Sequence, residues 1–444
     1  MHITKRHLLG FAAALPLAWL TACGGGGDNG NDANVRLVNA SAGYASLDMY
    51  IDDNKEASAV VFGAGSDYAN VTNGDDISRV LTAAGSTAEL LNQTGSLDSG
   101  KRYTVVAYGW EGALKSATMT EDEDSADSDK TKVSAYNLAI DAGELDVYLT
   151  GEDDSLDSST PVQTGVDAGF QTGFSSVTSG TYRLRVTAAT SKTDIRLDVS
   201  GVVLSSKNVL TLVMTPGSGG VLVNAIGVVQ EGDVTPYLNN KARVRMVAAV
   251  DDMTVPSFSR VSMSADDSAA SDVILGTNVG SVTIKEYVTV NAGTVVLKSS
   301  VDGTALTNKT VTLAAGSDTT VLVVGTSAAD AAVSVINDDN RLPTVSTKYH
   351  IRMIHASPML MAQNLSMTVD SGDAVSDLAF GAASDFDELT ASDSATIDIT
   401  SPMQGSVASL TEQKLLAKGV YTVFVRDRLN NGVPEVQAQL SPSR

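Results

Sequence analysis

Side chains that could carry out catalysis are few in this sequence. Its 444 residues include four histidines and a single cysteine, Cys23. His350 and His355 lie five positions apart along one apolar-alternating stretch, so the period-two geometry of a strand would send them to opposite faces. A Ser-His-Asp arrangement would have to use one of them, yet no Gly-x-Ser-x-Gly turn surrounds a serine. We predict no catalytic residue, and we assign His355 a packing or hydrogen-bonding role.

Carboxylates are the abundant polar groups. The chain has 52 Asp and Glu against 30 Lys and Arg, a formal net charge of −22. Acidic pairs recur in turn-like segments, and oxygen-rich loops of this kind suit Ca²⁺. Asp338 and Asp339 are therefore weak calcium candidates, with a solvated acidic turn as the alternative. No other metal or cofactor is predicted, because so few imidazole and thiol ligands remain.

The charge and the aromatic content exclude several classes of partner. Nucleic-acid binding depends on Lys and Arg that displace counterions from phosphate, and a basic face is also what attracts anionic lipid. Neither nucleic-acid binding nor adsorption to anionic lipid through a basic face is expected of this acidic chain. Aromatic residues make up 5% of the sequence, and Trp110 is the only tryptophan after residue 22. A glycosidase or an aromatic sugar-binding platform is accordingly disfavoured.

The N-terminal segment has the features of an export signal. Lys5 and Arg6 precede the apolar residues 8–20, a stretch too short for a transmembrane helix, which needs about 20 residues. Residues 20–23 read LTAC, and a glycine-rich stretch follows. This pattern resembles the lipobox of bacterial lipoproteins, in which the cysteine becomes the acylated N-terminus. The resemblance implies a signal peptide over residues 1–22 and lipidation of Cys23.

Lipidation implies a location. One acyl chain holds a protein only marginally, whereas the several chains typical of lipoproteins anchor it stably in a lipid bilayer. Gly24 follows Cys23 where an aspartate would retain the protein at the inner membrane, by analogy with enteric bacteria. We expect the bacterial outer membrane, with the periplasmic and surface-exposed faces both open.

The rest of the chain repeats with a period of roughly 100 residues. Short alternating apolar runs bounded by Gly, Asp, Asn and Ser indicate strands throughout. The opening strand of each repeat is found at residues 35–41 (VRLVNAS), 133–137 (VSAYN), 244–249 (VRMVAA) and 351–357 (IRMIHAS). A turn after the second strand is nearly duplicated between residues 62–68 (FGAGSDY) and 380–386 (FGAASDF).

These landmarks resemble the bacterial domain-of-unknown-function family 4397. Residues 351–358 (IRMIHASP) match its motif best, the first repeat is nearly as close, and the second carries Ser134 where the others have Arg. The resemblance implies no known reaction. It implies an all-β fold of tandem immunoglobulin-like antiparallel β-sandwich domains, in agreement with the many short strands.

Boundaries follow from the repeat. We expect a Gly/Asn/Asp-rich tether at 23–33 and β-sandwich repeats at 34–130, 131–240, 241–345 and 346–444, stacked as a semi-rigid rod by short linkers. The chain repeats one unit and does not concentrate reactive side chains at any one place. This favours a non-enzymatic envelope protein with a structural, adhesive or assembly role. The alternative is a module that binds calcium, a glycan or a partner protein of the envelope. An uncharacterised hydrolase ranks below both.

Overall fold

A computed structural model describes residues 32–251, 259–280, 283–430 and 433–443 of the chain. The predicted signal peptide, Cys23 and most of the predicted tether lie outside the described residues. Within them, the regular structure is β-strand except for 3₁₀ turns at Ile140–Ala142 and Pro358–Leu360. None of these residues forms a helix of the length and apolar character that a membrane span requires.

The strands form four consecutive units. Unit 1 has β1 Asp32–Asn39, β2 Ser46–Ile51, β3 Asn54–Val61, β4 Ala69–Thr72, β5 Gly74–Ala83, β6 Glu89–Leu97, β7 Arg102–Trp110 and β8 Ala113–Thr120. Unit 2 has β9 Lys130–Asn137, β10 Leu145–Thr150, β11 Gln163–Val166, β12 Ser175–Thr178, β13 Gly180–Ala188, β14 Ile195–Leu204, β15 Val209–Pro216, β16 Val223–Val229 and β17 Val234–Tyr237.

The second half of the chain repeats the arrangement. Unit 3 has β18 Lys241–Val250, β19 Arg260–Asp266, β20 Val273–Gly280, β21 Thr283–Ile284, β22 Val288–Asn291, β23 Gly293–Val301, β24 Thr304–Ala305, β25 Lys309–Leu313, β26 Asp318–Gly325 and β27 Ala332–Asp338. Unit 4 has β28 Lys348–Ala356, β29 Leu365–Val369, β30 Gly372–Leu378, β31 Asp387–Thr390, β32 Ser392–Ser401, β33 Gly405–Leu415, β34 Val420–Asn430 and β35 Val433–Pro442.

Each unit consists of two sheets. The sheet that holds the opening strand, here named the pairing sheet, has the order β4-β1-β7-β8 in unit 1 and β31-β28-β34-β35 in unit 4, and the second sheets are β3-β2-β5-β6 and β30-β29-β32-β33. The opening strands β1, β9, β18 and β28 run parallel to β7, β15, β26 and β34. The predicted all-β tandem sandwich is confirmed, and this one parallel pairing per unit is a feature that the sequence did not indicate.

The core of each unit lies between its two sheets. In β28, Ile351 and Met353 point inward and pack on Met367 and Ile397 of the second sheet. Alternate residues of a strand face opposite ways, so the next positions, Ile354 among them, face outward. They are nevertheless fully buried, so the outer face of the pairing sheet must be covered by something other than its own unit.

The units cover each other's outer faces in pairs. Between units 1 and 2, Val38 and Val106 join one apolar cluster with Val213 and Ile226. Between units 3 and 4, the corresponding cluster is made by Val247, Ala249, Leu322, Val324, Ile354, Ala356 and Phe424. The expectation of an end-to-end rod is therefore wrong for these pairs, since neighbouring units pack side by side through their pairing sheets.

This pairing explains why two central strands have both faces buried. Strands β15 and β26 are buried along their whole length. A strand with both faces covered can be apolar over consecutive residues instead of alternating, as residues 212–214 of β15 and 321–324 of β26 are. Each fully buried Val or Leu contributes about 1.5–3 kcal/mol, so the second face stabilises the pair as well as the unit.

The two pairs meet at a contact between backbones. The Gly219 amide of unit 2 donates to the Gly316 carbonyl of unit 3 over 2.8 Å. A Cβ on Gly316 would lie 2.8 Å from the Cα of Gly217, and its φ of +77° also disfavours other residues. Only glycine permits this approach.

Candidate functional site

The most regular polar arrangement surrounds the arginine of the opening strand. Arg36, Arg245 and Arg352 occupy the same position of β1, β18 and β28, and each is at most 3% exposed. Each guanidinium lies over an aromatic ring, at 4.7 Å from the centroid of Tyr68, 4.6 Å from Tyr287 and 4.6 Å from Phe386. In all three units the ring residue immediately precedes the short strand that pairs with the opening strand.

A threonine faces each arginine across the parallel strand pair. Nε donates to the hydroxyl of Thr104 at 2.8 Å, Thr320 at 2.7 Å and Thr422 at 3.2 Å. The register places each threonine directly opposite its arginine. The parallel register thus places the arginine and its threonine partner at the same height in the three units.

Buried carboxylates complete the arrangement. Glu121 pairs with Arg36 at 2.9 Å, and Asp338 pairs with Arg352 and lies 3.9 Å from Arg245. Asp338 also accepts hydrogen bonds from the Tyr287 hydroxyl at 2.5 Å and the Thr320 hydroxyl at 2.6 Å. Burial, together with the Asp338 charge, raises the pKa of Tyr287. The tyrosine therefore stays protonated and keeps donating to Asp338.

These polar groups join one unit to the next. Arg36 of unit 1 donates to the carbonyls of Val229 and Gly232 in unit 2, at 2.8 and 2.5 Å. Arg352 of unit 4 binds Asp338, the last residue of β27 in unit 3. The motif arginine is therefore a bridge between paired units. A buried guanidinium of this kind needs its partners, because an unpaired buried charge is strongly unfavourable.

The Phe-Gly turn belongs to the same interface. Gly63 adopts φ +81°, and a Cβ there would lie 2.9 Å from the Pro236 ring of unit 2. Gly381 adopts φ +75° and faces Val324 and Ser334 of unit 3 at 3.6 Å. The turn that is duplicated in the sequence thus sits against the last strands of the neighbouring unit; a Cβ would clash there at Gly63, whereas at Gly381 it would make an ordinary contact and the positive φ is what favours glycine.

Unit 2 departs from this pattern. Ser134 stands in place of the arginine, and its hydroxyl lies 2.9 Å from that of Thr211, which occupies the usual threonine position. Gln171 donates to Ser134 at 3.3 Å. Pair 1–2 therefore has one guanidinium and one carboxylate at its centre, whereas pair 3–4 has two guanidinium groups around Asp338.

His355 is fully buried and holds a loop. Its Nε2 lies 3.2 Å from the Gln363 carbonyl, and its Nδ1 accepts the Ser357 amide at 3.4 Å. A carbonyl can only accept, so Nε2 carries the proton and the ring is neutral; burial also lowers the pKa of His355. Asn39 and Asn137 occupy the same position in units 1 and 2, and each donates to carbonyls and accepts the amide two residues on.

The serine beside His355 does not form a relay with it. The Ser357 hydroxyl donates to Asp427, which also accepts the Met359 amide at 2.9 Å. In a catalytic triad the imidazole instead accepts the serine proton. Burial raises the pKa of Asp427 to about 6, against the hydrogen bonds of Ser357 and Met359. The three groups secure the end of β28 to β34.

The calcium candidates are both held by arginines. Asp338 is paired with Arg352 inside the interface, and Asp339 is paired with Arg341. Burial raises the pKa of Asp339, but the hydrogen bond and charge of Arg341 outweigh it, so the pKa is lowered. No cluster of three or more metal-binding side chains occurs within the described residues. Calcium binding at this pair stays a prediction, and so does lipidation at Cys23.

Other residues of this interface were missed in the sequence. Glu121 begins the acidic segment 121–124 near the end of the predicted first repeat, where a solvated side chain is expected, yet only 4% of its side chain is exposed. The signal was present as an aromatic residue before each short strand and a threonine in each β7-like strand. The role of these residues becomes visible only once the parallel strands pair, because each arginine is 68 to 75 residues from its threonine.

Comparison with known proteins gives a family match. The family model described as Domain of unknown function (DUF4397) matches residues 33–148 and 253–365, more than half of the chain. Each match covers most of one unit and continues into the next, so it includes residues on both sides of an interface. No curated protein matches the sequence.

Similarity to solved structures is low. A "putative cell adhesion protein" from Bacteroides uniformis ATCC 8492 is 13% identical, with 48% of this chain and 98% of that chain covered and a TM-score of 0.21. CBMbc, of family CBM26, from Eubacterium rectale Amy13K in complex with maltoheptaose is 13% identical, with 46% and 96% covered and a TM-score of 0.14. The Bacillus anthracis TIE protein is 7% identical, with 66% and 50% covered and a TM-score of 0.16. At these TM-scores none of the three bears on function.

Proposed function

We propose a non-enzymatic role for this chain, which belongs to the domain-of-unknown-function family DUF4397. The protein is a lipid-anchored component of the bacterial cell envelope that acts as a structural, adhesive or assembly spacer. The supporting observation is that the motif arginines Arg36, Arg245 and Arg352 are all buried where units meet. The arginines that mark the repeated opening strand therefore have a structural role.

The paired arrangement suits a spacer that must keep its shape. Side-by-side packing covers one face of every pairing sheet and leaves for partners the sandwich-end loops that lie outside the contact between the two pairs, and loops are where binding residues usually lie. An envelope protein or glycan would contact those loops. The net charge of −22 keeps such a surface soluble.

Anchoring is tested by fractionation of cells that express the full chain. We expect the protein in the outer-membrane fraction, and Cys23→Ala released from it, because the acyl chains supply the membrane affinity. Thr21→Ser is the matched control, since it changes the same segment but keeps the thiol. A Cys23→Ala protein that stays in the membrane would refute the anchor.

The spacer role is tested by crosslinking in intact cells followed by mass spectrometry, with protease shaving to define the exposed face. Crosslinks from sandwich-end loops to another envelope component support the role. Cleavage only after the outer membrane is opened would assign the protein to the periplasm. Turnover of an envelope substrate that is lost in Ser357→Ala protein would overturn the non-enzymatic assignment.

A further inference from the structure

A small cleft opens where the two pairs of units meet. It has a volume of about 160 Å³, and its walls come from three units and from the linker between units 3 and 4. Tyr108 and Trp110 of β7 form one wall, and Ile140 and Leu342 contribute apolar side chains. The cleft thus exists only when the pairs are docked.

Trp110 is held rigidly at this cleft. Its indole N–H donates to Asp141 of unit 2, and the same carboxylate accepts the Leu342 amide at 3.1 Å. Arg341 lies over the indole at 4.8 Å from a ring centroid and lines a wider groove beside the cleft, but not the cleft itself. The indole therefore borders the cleft in a fixed position, which lowers the entropic cost of binding.

The polar groups that remain available there are hydrogen-bond donors. Lys418 uses one hydrogen atom on the Pro343 carbonyl at 2.5 Å and keeps two others. Within the described part of the chain, neither the Lys115 ammonium nor the Tyr108 hydroxyl has a hydrogen-bond partner. Asp141 is the acidic residue of the lining, and its oxygens are already taken by Trp110 and Leu342. Two ammonium groups thus border an apolar cleft in a chain of net charge −22.

The geometry points to a binding site for a small aromatic carboxylate, with its ring against Trp110 and Tyr108 and its acid group between Lys115 and Lys418. An apolar slot with a few convergent donors is the usual composition of a ligand site. The volume limits the ligand to one ring and a short acidic arm. This site is independent of the envelope role, since it requires only the docked pairs.

Trp110 makes the test direct. In the predicted mature chain, residues 23–444, it is the only tryptophan, so fluorescence excited beyond the tyrosine absorption band reports on Trp110, which borders this cleft and the groove beside it. The unacylated mature chain is titrated with phenylacetate and, in parallel, with its neutral counterpart phenylacetamide. We expect a saturable fluorescence change with a millimolar dissociation constant for the acid and binding at least tenfold weaker for the amide.

Lysine variants locate the acid group. Lys115→Met and Lys418→Met should each weaken phenylacetate binding about twofold to fivefold, the range expected for one partly exposed charge contact. Lys414→Met is the matched control in unit 4, because Lys414 is 64% exposed and pairs only with Asp393. Circular-dichroism melting curves show whether each variant is folded. Non-saturable quenching, equal affinity for acid and amide, or equal loss in Lys414→Met would overturn the site.

Discussion

The buried ion pairs between units 3 and 4 allow one strong prediction, the effect of Asp338→Asn. The Asp338 side chain is fully buried. It holds Arg352 directly, lies 3.9 Å from Arg245, and accepts hydrogen bonds from Tyr287 and Thr320. Asparagine has nearly the same shape but no charge, so the variant leaves two buried guanidinium groups without their counterion.

The magnitude follows from the geometry. At 3.9 Å and an effective dielectric constant of about 20, one charge pair is worth about 4 kcal/mol before desolvation is counted. Removing one partner of a buried pair typically costs about 3–5 kcal/mol in the free energy of unfolding, and we expect this cost for Asp338→Asn. Arg352→Met should cost less, about 1.5–3 kcal/mol, because Arg245 still balances the Asp338 charge.

Hydrogen exchange measured by mass spectrometry is the suitable assay. A chain of several units does not unfold in one two-state step, so local opening must be followed peptide by peptide. Asp338→Asn should raise exchange in the strands β27 and β28 by a hundredfold to several thousandfold, at 1.4 kcal/mol for each factor of ten. Strand β5, in unit 1, serves as the internal reference.

Asp339→Asn is the matched control because it changes the neighbouring carboxylate. The Asp339 side chain is 42% exposed and pairs with Arg341, itself 40% exposed, and such a surface pair contributes about 0–1 kcal/mol. If Asp338→Asn raised exchange no more than Asp339→Asn does, the claim that buried ion pairs stabilise the interface between units 3 and 4 would be refuted.

Three further predictions concern single positions. His355→Asn should cost less than half as much as His355→Ala, which we expect to cost about 2–4 kcal/mol, because asparagine makes the same loop contacts in units 1 and 2. Hydrogen exchange in β28 compares the two variants, and equal costs would contradict the shared role. Burial raises the pKa of Asp427 to about 6, so its proton stabilises the native state by about 3 kcal/mol below pH 4, and this contribution is lost as the pH rises through 6. The melting temperature should therefore fall more between pH 4.5 and 7 in the wild type than in Asp427→Asn, and identical pH profiles would count against the buried carboxyl. Gly316→Ala should separate the two pairs, because its Cβ would meet the backbone of Gly217 at 2.8 Å, whereas Gly303→Ala, with a similar φ of +79° and no atom within 4 Å, should not. Small-angle X-ray scattering would detect the larger radius of gyration in Gly316→Ala alone, and an unchanged radius would show that this contact does not hold the pairs.

Local features of the fold were accessible from sequence. Period-two alternation predicted the strands, and the repeated opening strand predicted tandem sandwiches, because a strand's two faces are encoded by adjacent residues. The duplicated turn was also visible in the sequence, and Gly63 and Gly381 adopt a positive φ there. His355 was expected to pack or hydrogen-bond on the face opposite His350, and it lies in the core of unit 4 with both nitrogens engaged.

The candidate site could be predicted only in part. The arginine was visible as a repeated residue of the opening strand, but its partners come from distant segments. Glu121 is 85 residues from Arg36, and the Val229 carbonyl is 193 residues away. Nothing in an acidic run distinguishes a solvated glutamate from one that enters an interface, because both have the same local sequence.

The sequence by itself determined which faces of the strands are apolar and where the chain turns, since backbone geometry converts residue order directly into side-chain direction. The consecutive apolar residues 212–214 and 321–324 are also visible in the sequence, and such runs are typical of strands covered on both faces. Only the tertiary structure decided what covers the second face, because hydrophobic burial is non-directional and does not specify its partner. A neighbouring unit covers this face because of groups that meet only after folding. They are the arginines that bridge two units, the glycines at the contacts between units, and Trp110 where the two pairs meet.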